Sequence, residues 1–148
     1  MDRTITLLDK TSVPYIPNEE IEAAIDRVAD KLNDDFKGCA EPPILLCTLN
    51  GAIMFTAALM RRLDFPVQLM SMKLSSYRGT ECTGEVRTVM NITGDVAGRD
   101  VIIVEDIVDT GNTMEKLLGM MKDAGARGVK VCTMLLKPEI FKKDFPID

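Results

Sequence analysis

The sequence predicts an α/β domain built on a mainly parallel, twisted sheet flanked by helices. Strand-like and helix-like segments alternate from residue 44 to residue 136, which is typical of parallel strands joined by crossover helices. The segments 44–49 and 101–104 are continuously apolar, as strands are when both faces of a sheet are covered. A chain of 148 residues suits a single domain over 1–148.

The elements are predicted in order from apolar periodicity and from turn residues. Residues 3–8 form a short strand, and Pro14 and Pro17 then break the chain. Asn18 is predicted to cap a helix that ends near Asn33, with glutamates in the first turn where the helix dipole favours negative charge. The later elements are a strand at 44–49, a helix at 53–63, a strand at 67–72, a mobile loop at 73–85, a strand at 86–92, a strand at 101–104, a loop at 105–112, a helix that ends at Gly125 and a strand at 129–136.

Composition argues against several classes of protein. The net charge of −5 is a poor basis for nucleic-acid binding. No apolar run approaches the roughly 20 residues of a membrane span, and the N-terminus lacks the regions of a signal peptide. The cysteines form no C-x-x-C pair, so we expect reduced thiols and a cytoplasmic protein. With no histidine in the chain, acid–base chemistry near neutral pH must use carboxylates, Lys, Tyr or Cys.

The segment 101–114 contains the residues best suited to bind a ligand or to catalyse a reaction. A buried strand ends in Glu105 and Asp106, whose carboxylates suit the hydroxyls of a ribose or a divalent metal. Asp109 follows and could hold or move a proton. The small residues that open the next helix can offer backbone N–H groups and hydroxyls to a phosphate; they are Thr110, Gly111, Asn112 and Thr113. The alternative is a solvated loop whose acids only keep water near a strand end. A ligand site is favoured because a strand, an acid pair, a third acid and a helix start of small residues follow one another in order.

This segment resembles the motif with which type I phosphoribosyltransferases bind 5-phosphoribosyl-1-pyrophosphate (PRPP). Its form Glu-Asp-Ile-Val-Asp-Thr-Gly-Asn-Thr is similar to the hypoxanthine and guanine branch of that family. Shorter resemblances follow the same chain order and cover about residues 5–140. They are a pyrophosphate loop with a cis peptide at Leu49, Asn50 and Gly51, a flexible lid at Ser76 and Tyr77, and a lysine for purine O6 at Lys137. Taken alone, these pieces would be read as a turn, an ordinary polar pair and a solvated strand end.

The resemblance implies a fold, a reaction and a set of roles. Pyrophosphate would leave PRPP as a purine nitrogen attacks, with Mg²⁺ on Glu105 and Asp106, which would also hold the ribose hydroxyls. Asp109 would be the catalytic acid/base at purine N7, and residues 110–113 would hold the 5-phosphate. Lys137 would select a 6-oxopurine, meaning hypoxanthine and also guanine. Relatives are commonly dimers or tetramers, so a homo-oligomer is expected.

The sequence also departs from the family pattern. The family continues with a strand and loop that contact the purine and the second magnesium, so we expect an incomplete hood and a missing C-terminal part. Asn50 stands where many relatives have a basic residue. The main alternative is a non-catalytic regulatory protein that binds PRPP on the same fold. An aspartic-protease triplet at Asp109–Gly111 is disfavoured by the helical pattern after Thr113, and a receiver domain by acids placed at a single strand end.

Overall fold

The computed structural model of the protein describes residues 5–7, 10–12, 16–76, 86–90, 94–108 and 111–136, with the side chains of 16–73, 94–108 and 111–136. Its helices and strands follow in the order β1 (Ile5–Leu7), β2 (Lys10–Ser12), α1 (Asn18–Asp35), β3 (Ile44–Leu49), α2 (Ile53–Met60), β4 (Gln68–Ser76), β5 (Val86–Met90), β6 (Asp100–Val108), α3 (Asn112–Asp123) and β7 (Gly128–Leu136). None of these described helices has the length and apolar character needed to cross a membrane.

The central sheet has five strands in the order β5-β4-β3-β6-β7. The last four run parallel, and β5 pairs antiparallel with β4 at one edge. β1 and β2 form a separate antiparallel pair. The predicted α/β class with a mainly parallel sheet and flanking helices is confirmed, and the carboxyl ends of its parallel strands share one edge.

Helices cover both faces of this sheet. Along β3, Leu45 and Cys47 pack in a core with α1 and α2, whereas Ile44 and Leu46 pack in a second core with α3. All of these side chains are buried. Successive side chains of a strand point to opposite faces, so a strand covered on both faces needs apolar residues throughout. This arrangement accounts for the continuous apolar run in the sequence.

Several element boundaries differ from the prediction. Pro17, not Asn18, occupies the cap position of α1, and its carbonyl accepts from the N–H groups of Glu20 and Ile21. The helix then runs to Asp35. The predicted cap at Asn18 is therefore wrong. α2 ends at Met60 rather than near residue 63, and the strand predicted over 3–8 is β1, which is followed by an unpredicted β2.

Two strands extend into segments predicted as loops. β4 continues to Ser76, and β6 continues to Val108, so Glu105 and Asp106 lie within a strand. The cause is pairing, since Ser76 is opposite Val86 in β5 and Val108 is opposite Leu136 in β7. Backbone hydrogen bonds to a neighbouring strand do not depend on side-chain polarity, so polar residues can extend a strand at the edge of the core.

Arg99 holds together the amino end of the sheet. Its Nη1 donates to Oε1 of Gln68 at 2.9 Å, and its Nη2 donates to the carbonyl oxygen of Pro42. Its Nε lies 3.1 Å from Oε1 of Glu41, within ion-pair distance, and the side chain is 17% exposed. Arg99 therefore links the segment before β3 to the starts of β4 and β6.

Replacing Arg99 by methionine is expected to lower the free energy of unfolding by about 1–3 kcal/mol. Methionine keeps much of the side-chain stem but leaves the Pro42 carbonyl oxygen without this donor. Urea unfolding followed by circular dichroism measures the change. Arg127→Met is the control, because Arg127 is 58% exposed and pairs with Asp100 at the surface, where ion pairs contribute little. Equal losses in the two variants would contradict the role of Arg99.

Candidate functional site

The candidate site lies at the carboxyl edge of the sheet, where β3 and β6 end and α3 begins. β3 and β6 are parallel neighbours, so their ends meet at one edge, which is where open α/β sheets bind ligands. Gly51 of the predicted pyrophosphate loop lies against Asp106, and Glu105 lines the same cleft as Gly111 at the start of α3. The structure therefore assembles the described part of the predicted PRPP site.

Helix α3 begins with a glycine in the left-handed conformation. Gly111 is the cap residue, is buried and has φ 90°, a backbone geometry that costs other residues free energy. The first turn of a helix presents backbone N–H groups without intrahelical acceptors, and the helix dipole adds to their attraction for anions. Asn112 and Thr113 are exposed in this turn. The turn can therefore hold a phosphate group.

A cleft of about 90 Å³ joins the start of α3 to β6. The strand contributes Glu105 and its neighbours, and the helix contributes its first turn; the lining residues are Glu105, Ile107, Val108, Gly111, Asn112, Thr113 and Met114. A carboxyl group and a helix N-terminus thus face the same space. A second cleft of about 160 Å³ lies between α1 and β7, and none of the predicted site residues lines it.

Glu105 and Asp106 interact directly. The backbone N–H of Asp106 donates to Oε1 of Glu105 at 2.9 Å, and the N–H of Ile107 donates to Oδ1 of Asp106 at 2.8 Å. Burial raises the pKa of the Glu105 carboxyl from 4.5 to about 7, and the hydrogen bond with the Asp106 side chain adds to the rise. That hydrogen bond lowers the pKa of Asp106 below its ordinary value of 3.8. Near neutral pH the pair can therefore share one proton, with the negative charge mainly on Asp106.

The turn after β3 lies against this acid pair. The Leu49–Asn50 peptide is cis, as the resemblance implied. A Cβ atom on Gly51 would lie 2.2 Å from Oδ2 of Asp106, far inside van der Waals contact. Glycine is therefore required at position 51 while the Asp106 carboxylate keeps this position. The loop predicted for pyrophosphate and the acids predicted for the ribose are direct neighbours.

Other predicted site residues fall outside the described part of the chain. They are Asp109, Thr110, Tyr77 and Lys137, and the side chain of Ser76 also lies outside it. The backbone of Ser76 ends β4, so this residue belongs to a strand and not to the predicted loop. The roles of these residues remain predictions.

Sequence reasoning overlooked Thr48. It lies on β3 immediately before the cis peptide, it is buried, and its hydroxyl donates to the carbonyl oxygen of Val104 at 2.9 Å. The available signal was a polar side chain inside an otherwise apolar strand. Such a residue needs a hydrogen-bond partner when it is buried, which marks it for attention even without a structure.

The raised pKa of Glu105 predicts a pH-dependent cost to stability. Its folded-state pKa of about 7 exceeds the ordinary 4.5, so the folded state binds the proton more tightly than the unfolded state. The contribution of this carboxyl group to the free energy of unfolding is therefore greatest below about pH 4.5. It falls as the pH rises towards 7 and is smallest above pH 7. Glu105→Gln removes this loss, because glutamine stays neutral and can still donate to Asp106.

The free energy of unfolding of Glu105→Gln minus that of the wild type is expected to grow between pH 4.5 and pH 8. The full growth should be up to about 3 kcal/mol. Urea unfolding at a series of pH values, in the presence of a chelator, measures it. A difference between the two proteins that stays constant across this range would contradict the assigned pKa.

The fold and the site together define an α/β protein with a site suited to a phosphate group at the carboxyl ends of parallel strands. The family model of the phosphoribosyl transferase domain matches residues 15–144. The chain belongs to this family. The resemblance stated from the segment 101–114 is thereby confirmed.

Two proteins with similar sequences are named as phosphoribosyltransferases that act on hypoxanthine. The hypoxanthine-guanine phosphoribosyltransferase of Streptococcus pneumoniae is 38% identical over 125 residues, which are 84% of this chain and 68% of the relative. The hypoxanthine phosphoribosyltransferase of Buchnera aphidicola is 32% identical over 134 residues, which are 90% of this chain and 76% of the relative. Similarity to the hypoxanthine branch thus extends over most of the chain.

Solved structures agree with this assignment. A hypoxanthine-guanine phosphoribosyltransferase of Bacillus anthracis superposes with a TM-score of 0.81 at 32% identity, covering 90% of this chain and 78% of the other. A hypoxanthine phosphoribosyltransferase of Staphylococcus aureus gives a TM-score of 0.78 at 30% identity, covering 87% and 70%. The fold of the chain is therefore that of these transferases.

Proposed function

We propose that this chain catalyses the magnesium-dependent transfer of a phosphoribosyl group from PRPP to hypoxanthine, with guanine as a second substrate, in purine salvage. The products are the nucleoside monophosphate and pyrophosphate. One observation carries the proposal: the acid pair, the cis-peptide turn and the glycine-initiated helix lie at one sheet edge. The names of the relatives support a 6-oxopurine as the acceptor.

Three groups of residues in the proposed site bind three different parts of PRPP. Residues Thr110, Gly111, Asn112 and Thr113 hold the 5-phosphate at the helix N-terminus. Glu105 and Asp106 hold the ribose hydroxyls, and backbone N–H groups of the turn Leu49–Gly51 hold the pyrophosphate. The contact between Gly51 and Asp106 supports this order, because the ribose and the pyrophosphate are adjacent parts of the same ligand.

The reaction forms a bond from ribose C1 to a purine nitrogen and breaks the bond from C1 to pyrophosphate. Positive charge develops on the ribose, and the nearby negative charge of the acid pair stabilises it. Asp109 holds or moves the proton at purine N7. Lys137 donates to the purine O6, which favours a 6-oxopurine over adenine because an ammonium group cannot accept a hydrogen bond. The lid begins at Ser76, the last residue of β4, continues with Tyr77 and excludes water from the reaction.

The acid pair fits a magnesium ion that is bound mainly through the substrate. Within the described ranges, no group of three or more His, Cys, Asp or Glu side chains could hold a metal by itself. Mg²⁺ usually takes one or two protein carboxylates, with waters and substrate phosphates, and Glu105 and Asp106 supply two. When bound, the ion neutralises charge on the pyrophosphate and favours its departure.

We also propose that the chain forms a homo-oligomer, either a dimer or a tetramer, in the cytoplasm. Ile53 of α2 and Leu69 of β4 are 46% and 53% exposed and line the same apolar cleft; apolar side chains grouped on a surface favour association. Free thiols at the described cysteines, Cys39, Cys47 and Cys132, support a reducing compartment. Light scattering of the purified chain measures the number of subunits.

Incubation of the chain with PRPP, Mg²⁺ and a purine base tests the function, with the corresponding nucleoside monophosphate as the measured product, which is inosine monophosphate from hypoxanthine. We expect product from hypoxanthine and guanine, dependence on Mg²⁺, and little product from adenine. PRPP binding by calorimetry, without product from any base, would refute the transferase and favour a regulatory PRPP-binding protein. Absence of both binding and product from a folded chain would refute both.

A further inference from the structure

We propose that Thr48 is a positioning residue for Glu105, and that its buried hydroxyl couples the turn after β3 to the acid pair. The significance of this contact for catalysis rests on the proposed function, in which Glu105 holds the ribose of PRPP. The contact itself can be tested without any ligand. Thr48 is not assigned to touch the substrate.

The burial of Thr48 shows that its hydroxyl is committed to protein partners. Thr48 is 6% exposed, and its Oγ1 donates to the carbonyl oxygen of Val104 at 2.9 Å. The side chain of Glu105, the next residue of β6, is the second partner of this hydroxyl, and a hydrogen bond from Thr48 acts to lower the pKa of Glu105. Because the hydroxyl has a single hydrogen, the Val104 carbonyl and the Glu105 carboxylate are alternative acceptors for it. One hydroxyl on β3 therefore contacts the backbone before Glu105 and the carboxyl group of Glu105.

Strand geometry explains why these groups meet. Cys47 of β3 is opposite Val104 of β6 in parallel register, so Thr48 and Glu105 come next on adjacent strands. Leu46 and Ile103 pack on the face of the sheet that α3 covers. Because side chains alternate along a strand, Thr48 and Glu105, two residues further on, point to this same face. Glu105 thereby lines the cleft at the start of α3, and Thr48 supports it from the neighbouring strand.

The turn makes a second contact with the acid pair three residues later. Gly51 lies against the Asp106 carboxylate, just as Thr48 contacts Glu105. The residues between these contacts include the cis peptide at Leu49–Asn50. The two ends of this turn thus contact the two adjacent acids, so a change in the turn is transmitted to the ribose-binding carboxylates. This coupling would align the pyrophosphate and the ribose of one PRPP molecule.

Three variants test the positioning role. Thr48→Val keeps the shape and removes the hydroxyl, and Thr48→Ser keeps the hydroxyl. Thr56→Val is the matched control: Thr56 is 4% exposed, and its hydroxyl has no hydrogen-bond partner among the described residues. We expect Thr48→Val to raise the KM for PRPP by about 5-fold to 10-fold, the range for one lost hydrogen bond. Thr48→Ser should stay within about threefold of the wild type, and Thr56→Val should be unchanged.

The chemical shift of the Glu105 carboxyl carbon, measured by NMR without ligand, separates this inference from the proposed function. Thr48→Val should move this resonance, while Thr48→Ser and Thr56→Val leave it near the wild-type position. Such a result with a wild type that lacks transfer activity would uphold the contact and refute the proposed function. A wild-type resonance and a wild-type KM in folded Thr48→Val would overturn the positioning role, as would equal effects of Thr48→Val and Thr56→Val.

Discussion

Replacing Asp109 by asparagine is expected to lower kcat for hypoxanthine by about 10²–10⁴-fold, the usual contribution of a general acid or base. Asparagine has nearly the same shape but cannot take or give a proton at purine N7. The KM for PRPP should change much less, because other residues hold the phosphate and the ribose in the proposed site. Steady-state kinetics at saturating PRPP measures kcat, and calorimetry measures PRPP binding.

Asp123→Asn is the control for this prediction. Asp123 is an exposed carboxylate at the end of α3, away from the start of the helix, so its replacement should leave kcat unchanged. A kcat for Asp109→Asn within about threefold of the wild type would remove the proton-transfer role from Asp109. Without histidine in the chain, another carboxylate, a lysine, a tyrosine or a cysteine would then have to move the proton.

Replacing Gly51 by alanine is expected to lower kcat/KM for PRPP by about 100-fold, because a displacement of about 1 Å in a binding group can cost that much. The new Cβ atom would lie 2.2 Å from Oδ2 and 2.7 Å from Cγ of Asp106, so the carboxylate must leave its position. It would then lose its place between the turn and the N–H of Ile107, which donates to it at 2.8 Å. Stability should change little, because the obstructing atoms belong to the end of a movable side chain.

Gly119→Ala is the matched control for Gly51→Ala. Gly119 lies inside α3, and a Cβ atom there would meet nothing within 4 Å. Alanine in a helix interior should raise the free energy of unfolding by about 0.5–1 kcal/mol and leave kcat/KM unchanged. A Gly51→Ala variant with wild-type kinetics would show that Asp106 can move without affecting PRPP, and would separate the turn from the ribose site.

The PRPP motif could be predicted because its parts are consecutive in the chain. The apolar strand, Glu105 and Asp106, and the helix start at Gly111 are one continuous segment, and local patterns describe local segments well. Lys137 and Tyr77 were predicted by resemblance, and their roles depend on the experiments above. The boundary of β6 was predicted wrongly, because its extension to Val108 depends on pairing with β7, which no local pattern contains.

By itself, the sequence determined the alternation of strands and helices, the family resemblance, and the identity of the acids and small residues that can bind PRPP. Only the tertiary structure decided that Glu105 is buried with a raised pKa, that Gly51 lies against Asp106, and that Thr48 reaches Glu105. Each of these facts joins segments that are far apart in the chain. Burial and side-chain contact depend on strand order and register, and these arise only when β3 and β6 become parallel neighbours in the sheet.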